Sequence, residues 1–222
     1  MDQKVAIIFD MDGVIVDTNP YHKIALHQFC ARYGYSLTED ELRNKIYGRP
    51  NKEWIANLFQ RKMSPAELSA YGEEKEKLFR DLYEKDIKPL PGLHDFLVRL
   101  KDEKIPVAIG TSAPRSNVDF VLEKTGLGNF FDVILDESNV DRGKPDPEIY
   151  LKVATRLNMP PSRCIVFEDS LSGVMSAEAS GAKVVGVTTT HTKEELSHTQ
   201  LSIDNFVGLV PRRLINQLFD QN

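Results

Sequence analysis

The chain has 222 residues, 41% hydrophobic, 27% charged and 9% aromatic, which excludes collagen-like, low-complexity and disordered classes. The length suits one large domain, or a domain carrying an insertion, with a sizeable core. Twenty-eight basic residues against 33 acidic ones give a net charge of −5, the wrong sign for a nucleic-acid footprint, so no nucleic-acid partner is expected.

The first apolar run, Val5-Ala6-Ile7-Ile8-Phe9, ends at Asp10 and is too short for a signal segment or a membrane span. No membrane partner and a cytoplasmic location are therefore expected. Cys30 and Cys164 lie in apolar-patterned segments without CxxC spacing, so they read as buried thiols of a reducing compartment. Further Val/Ile-rich runs follow at residues 106–110, 132–135, 164–167 and 183–187, each reading as a strand buried on both faces. Between them Leu93-Phe96-Leu97-Leu100, Val118-Val121-Leu122 and Ile149-Val153-Leu157 keep helical spacing. Strand alternating with helix predicts an α/β fold, an open parallel Rossmann-like sheet with right-handed crossovers.

Residues 20–88 break this alternation: they hold no strand-like run, only helical patterns. Ile24 to Phe29 and Leu58-Phe59 supply apolar faces, and Glu73-Glu74-Lys75-Glu76-Lys77 reads as a solvated helix face. Pro89-Leu90-Pro91-Gly92 punctuates sharply before the strands resume. The stretch is a helical insertion after strand 1, where ligands of open α/β sheets bind, and so a cap. The expected division is a core of residues 1–16 and 90–222 and a helical cap of residues 17–89.

Chemistry-bearing residues follow the strands. After the first comes Asp10-Met11-Asp12-Gly13, in which Asp12-Gly13 is also a hairpin signal; a calcium loop fails because Ile15 and Tyr21 stand where Gly and an acid are needed. Gly110-Thr111-Ser112 ends the second run, Gly143-Lys144-Pro145-Asp146-Pro147-Glu148 follows the third, and Phe167-Glu168-Asp169-Ser170 ends the fourth. Each has a local explanation: Asp146-Pro147 is a good helix start, and Glu168-Asp169-Ser170 can cap a helix from Leu171. Together, acids, a hydroxyl and a lysine converge on one edge of one sheet.

Asp-x-Asp-Gly-x-x-x-Asp after strand 1, with Thr111, Lys144 and Glu168-Asp169 in order, resembles the four motifs of the haloacid dehalogenase superfamily. The match spans nearly the whole chain, and within the superfamily it is most similar to the β-phosphoglucomutase-like branch of mutases and phosphatases with a type-1 cap. The resemblance implies that Asp10 is a nucleophile forming an aspartyl phosphate and Asp12 a general acid/base. A carboxylate facing a phosphate dianion at ~4 Å is repelled by about 8 kcal/mol at an effective dielectric near ~20. The implied remedy is Mg²⁺, held by Asp10, the Asp12 backbone carbonyl and Asp169, with Glu168 as ligand or as neighbour of the ligands. Lys144 adds positive charge, and Thr111, with Ser112 beside it, binds the phosphoryl group. Asp12 separates the chain from the dehalogenases, which lack a second acid.

In the cap, His22 and Lys75 match the mutase's histidine and lysine. Two departures weigh against a mutase. Gly48-Arg49-Pro50-Asn51-Lys52 places Asn51 where the mutase has its phosphate-binding arginine, leaving Arg49 as the substrate-binding candidate, and Thr111-Ser112-Ala113-Pro114 replaces Ser-Ala-Ser-Lys. The expected activity is hydrolysis of a small phosphorylated metabolite, a sugar phosphate by resemblance; phosphosugar mutase and a non-catalytic phospho-acceptor module are the alternatives. Segments 16–19 and 87–92 are expected as hinge strands for closure on the μs–ms scale. The oligomeric state stays open; no large apolar stripe calls for a partner, and a monomer is compatible with the pattern.

Overall fold

The computed structural model describes residues 4–46 and 51–219. The chain divides into two compact units, Met1–Asp17 with Ile87–Asn222, and Thr18–Asp86. Among the described residues no helix is long and apolar enough to cross a membrane.

The larger unit is built on six parallel strands: β1 (Ala6–Phe9), β2 (Val107–Gly110), β3 (Val133–Leu135), β4 (Cys164–Glu168), β5 (Lys183–Val187) and β6 (Leu201–Ile203). Their order is β3-β2-β1-β4-β5-β6, with parallel pairing throughout. Five strands fall within a residue of the runs read from sequence. The sixth is an edge strand of three half-buried residues, too short and too polar to stand out. Central β1, β2 and β4 are buried at every position, because helices cover both faces of a parallel sheet.

Alternation along the strands sorts the core. Ala6, Ile8, Ala108, Cys164, Val166 and Val184 pack with α7 (Glu148–Arg156) and α8 (Leu171–Ser180). The opposite set is aromatic: Phe9 stacks on Phe167 at 5.1 Å between ring centroids. Phe96 of α5 (Leu93–Asp102) and Phe206 close around this pair at 5.1–6.4 Å. The predicted α5 face is buried at all four positions. The unit also contains α6 (Arg115–Thr125) and α9 (Pro211–Phe219).

The helical unit holds α1 (Asn19–Arg32), α2 (Glu39–Lys45), α3 (Asn51–Phe59) and α4 (Pro65–Tyr83). Its core gathers Leu26, Phe29, Cys30, Leu42, Ile46, Trp54 and Ile55, with Tyr33, Leu58, Phe59 and Tyr71 against it. Ser64 and Glu67 start α4 with a reciprocal capping box. Two sequence expectations are corrected here. Ile24 faces outward, 45% exposed. The 73–77 run is not uniformly solvated, since Lys75 and Glu76 are buried. A charged pair reads as surface by composition, but these two satisfy each other at 2.9 Å, which offsets part of the cost of leaving water.

Truncation inside the aromatic set should be costly. Phe9→Ala is expected to lower the unfolding free energy by roughly 3–5 kcal/mol. Val207→Ala, at a residue 69% exposed, should change it by less than about 0.5 kcal/mol. Urea denaturation followed by circular dichroism measures both.

Candidate active site

The sheet register determines which residues become neighbours. Phe9 pairs with Ile109 on one side and with Phe167 on the other. The residues that follow, Asp10, Gly110 and Glu168, therefore end adjacent strands side by side, with Thr111 and Asp169 one step beyond. The Asp10 amide continues the ladder, donating to the Phe167 carbonyl at 3.0 Å.

Asp10, Glu168 and Asp169 are all buried, and each offers a carboxylate oxygen within 4.8 Å of the others. Lys144 arrives from the long connection after β3 with its side chain 6% exposed. Its Nζ lies 3.0 Å from Asp10 Oδ1 and 2.6 Å from Glu168 Oε1. The Lys144 ammonium thus bridges the two carboxylates, and the Asp10 Oδ1 it reaches is buried.

Glu168 is in the opposite situation. Oε1 accepts from Lys144 Nζ and from the Tyr150 hydroxyl at 2.7 Å. Oε2 accepts from the Asp169 amide at 3.0 Å and from the Ser170 amide and hydroxyl, each at 3.1 Å. Five donors therefore converge on one fully buried carboxylate.

The electrostatics follow. Burial raises the Asp10 pKa to about 7; Lys144 pulls it down, while Glu168 and Asp12 push it up. Asp169 is raised well above the carboxylate range by burial, then by Glu168 and Asp10, against lowering by Thr190 and Lys144. Burial alone would lower Lys144, yet Asp10 and Glu168 hold its ammonium above the ordinary lysine value. Among the described residues, one lysine facing this many acids leaves an excess of buried negative charge, a setting that favours a cation.

The loop carrying Asp12 is a tight turn, not the hairpin its Asp-Gly pair signals. The Met11 carbonyl accepts the Ile15 amide at 2.8 Å, and the Gly13 amide donates to Val16 at 2.8 Å. Gly13 sits at φ +71, and a Cβ there would collide with the Asp169 carboxylate. Gly173, at the start of α8, meets the same constraint: a Cβ would overlap the Glu168 carboxylate. The helix-start readings divide. Ser170 caps α8, accepting the Gly173 amide at 3.1 Å. Pro147, not Asp146, is the N-cap of α7, and Asp146 accepts the Glu148 amide at 3.0 Å from one residue further out.

A sequence profile of the haloacid dehalogenase-like hydrolases matches residues 7–187. The chain belongs to this family. A Thermotoga maritima protein described as a phosphorylated carbohydrates phosphatase is 38% identical over 187 residues, 82% of this chain and 84% of that one. The β-phosphoglucomutase of Bacillus subtilis is 29% identical over 190 residues, 82% of each chain. The solved structure of a HAD hydrolase, family IA, variant 3, from Entamoeba histolytica has a TM-score of 0.88 at 33% identity, covering 96% of this chain and 99% of that one.

In this haloacid dehalogenase-like hydrolase the residues read from sequence stand as follows. Asp10, Lys144, Glu168 and Asp169 meet in one buried cluster, and Asp12 lies close enough to act electrostatically on Asp10. Thr111 is buried at the end of β2, its hydroxyl accepting the Ala113 amide at 3.1 Å; Ser112 beside it is exposed. Within the helical unit, Lys75 Nζ is 2.9 Å from His22 Nδ1, and the imidazole stacks on Phe79 with centroids 3.8 Å apart. Arg49 lies outside the described residues.

Sequence reasoning missed Tyr150, Gly173, Thr189 and Thr190. Tyr150 sits on the inward face of α7, where a phenol needs a partner for its hydroxyl. The run Thr188-Thr189-Thr190 directly after β5 was the available signal for hydroxyls at the sheet edge. Tyr150→Phe keeps the ring and removes one donor to a buried carboxylate, so it should cost about 1.5–3 kcal/mol in urea unfolding.

Proposed function

We propose that this protein is a phosphatase hydrolysing small phosphorylated carbohydrates through a phosphoryl group carried on Asp10. The observation that carries this reading is the buried cluster of Asp10, Glu168 and Asp169 within 4.8 Å, paired with Lys144 at one sheet edge. The relative described as a phosphorylated carbohydrates phosphatase and the Escherichia coli relative described as a fructose-1-phosphate phosphatase support the substrate class.

The residues present fit Mg²⁺. The donors are hard carboxylate oxygens gathered within 4.8 Å, and their charge exceeds that of the lysine paired with them. Asp10, Asp169 and the Asp12 backbone carbonyl would hold it; Glu168, with its five donors, instead fixes Lys144 and the 168–170 turn. Bound there, Mg²⁺ supplies the positive charge that offsets repulsion between Asp10 and the substrate phosphate.

The chain's own residues then divide the work. The Asp10 carboxylate attacks phosphorus, and the ester oxygen leaves as Asp12 gives it a proton. Asp12 next takes a proton from water, whose oxygen attacks the phosphorus of the aspartyl phosphate and returns Asp10 as a carboxylate with release of inorganic phosphate. Lys144 offsets charge on the nucleophile throughout. Thr111 accepts from the Ala113 amide, so its own hydroxyl hydrogen serves a phosphoryl oxygen. The core, residues 1–16 and 90–222, carries this chemistry. Residues 17–89 are assigned substrate selection, through His22, Lys75 and Arg49.

A mutase of the β-phosphoglucomutase type differs only in the second acceptor, a sugar hydroxyl in place of water. The His22–Lys75 pair favours that reading. Asn51 speaks against it: its side chain donates to Glu76 at 2.8 Å and accepts from Trp54 at 2.9 Å, and it carries no charge for a second phosphate. The test is a phosphate-ester panel with MgCl₂ that includes β-glucose 1-phosphate and scores free phosphate separately from glucose 6-phosphate. Multiple turnover to free phosphate, abolished by a chelator, is expected. Isomer without phosphate selects the mutase, and one phosphoryl transfer without turnover selects the phospho-acceptor module. Asp10→Asn should lower turnover at least ~1000-fold with an unchanged thermal melt.

A further inference from the structure

We propose that Thr189 and Thr190, just beyond β5, are positioning residues that set the affinity and size selectivity of the cation site; the proposal rests on the functional reading above. β5 lies beside β4 in register, Phe167 opposite Val185 and Glu168 opposite Gly186. The turn that follows β5 therefore emerges at the edge where Asp169 leaves β4.

Two adjacent hydroxyls act on two different parts of the site. Thr190 Oγ1 donates to Asp169 Oδ2. Thr189 Oγ1 donates to the Gly13 carbonyl at 2.6 Å. The Gly13 amide is itself bonded to the Val16 carbonyl at 2.8 Å. The N–H and C=O of a trans peptide point opposite ways, so this bond turns the Asp12 carbonyl away from Val16. Both peptide planes flanking Gly13 are thus held, one by Val16 and one by Thr189. The absent Gly13 side chain lets them pack tightly, since a Cβ would reach the Asp169 carboxylate and lie 3.0 Å from Thr189 Oγ1. The two threonines tie the Asp12–Gly13 turn and the Asp169 carboxylate to one short segment.

The consequence concerns which cation the site prefers. Mg²⁺ demands near-ideal octahedral geometry at short distances, whereas Ca²⁺ accepts more ligands in a looser arrangement. Oxygens held in one orientation favour the smaller ion, and releasing Asp169 Oδ2 from its hydroxyl relaxes that preference. Fixing a ligand from behind is worth about 10–100-fold in metal affinity at characterised sites.

The experiment is isothermal titration of the metal-stripped full chain with MgCl₂ and, separately, with CaCl₂. It compares wild type, Thr190→Val, which keeps the shape and loses the hydroxyl, and Thr190→Ser, which keeps the hydroxyl. Thr190→Val should weaken Mg²⁺ binding about 10–100-fold and Ca²⁺ binding less, narrowing the Mg²⁺ preference; Thr190→Ser should restore both. A general loss of stability would not move the ratio of the two affinities. Should Thr190→Val fail to fold, Thr189→Val, which leaves the Asp169 bond in place, must by itself weaken Mg²⁺ binding. Wild-type affinities and ratio in a folded Thr190→Val chain, or in Thr189→Val where that is the variant measured, overturn the clamp alone. A wild-type chain that binds neither ion overturns the cation reading and the clamp with it.

Discussion

Three carboxylates held within 4.8 Å of one another in the interior repel, and the rest of the core is arranged around tolerating that repulsion. Lys144 is the nearest compensation, yet it is shared between Asp10 and Glu168. Glu168 draws on its neighbours instead: the lysine, a phenol, two amides and a serine hydroxyl all point at it. Charge-assisted bonds of this kind are the strong ones, and they leave Glu168 as the anchored member of the cluster. Asp10 draws on the shared lysine, 3.0 Å from its Oδ1. The asymmetry sets the anchored Glu168 apart from Asp10, the proposed nucleophile.

The same constraint explains features that look unrelated along the chain. Gly13 and Gly173 lie 160 positions apart by number, yet both lack a side chain because a carboxylate occupies the space a Cβ would take. Tyr150 belongs to the hydrophobic core by its ring and to the site by its hydroxyl. On the other side of the sheet, Phe9 immediately precedes Asp10 and is clamped among Phe96, Phe167 and Phe206. For Asp10 as the proposed nucleophile, such a base would position the carboxylate by packing before any substrate arrives, the preorganisation that electrostatic catalysis requires.

The helical unit solves a smaller version of the same problem. Lys75 and Glu76 are buried as a pair, and the pair is extended on one side to His22 and on the other to Asn51 and Trp54. A charged stretch that reads as solvent-facing is in this way the polar spine of α4.

The sequence by itself determined the parallel α/β core, five of its strands and the identity of the clustered acids and lysine. Strand runs and the residues ending them are local signals, and in a parallel sheet every strand end reaches the same edge. It also determined the helical character of the insertion, from the lack of any strand run between residues 20 and 88. Only the tertiary structure decided the outward-facing Ile24, the burial of Lys75 and Glu76, the tight turn at Asp12-Gly13, the edge strand β6, and the roles of Tyr150, Gly173, Thr189 and Thr190. The reason is distance along the chain. Thr189 meets Gly13, and Thr190 meets Asp169, across sequence separations that no periodicity records, and a carboxylate's partners become visible only once the register has brought the strand ends together.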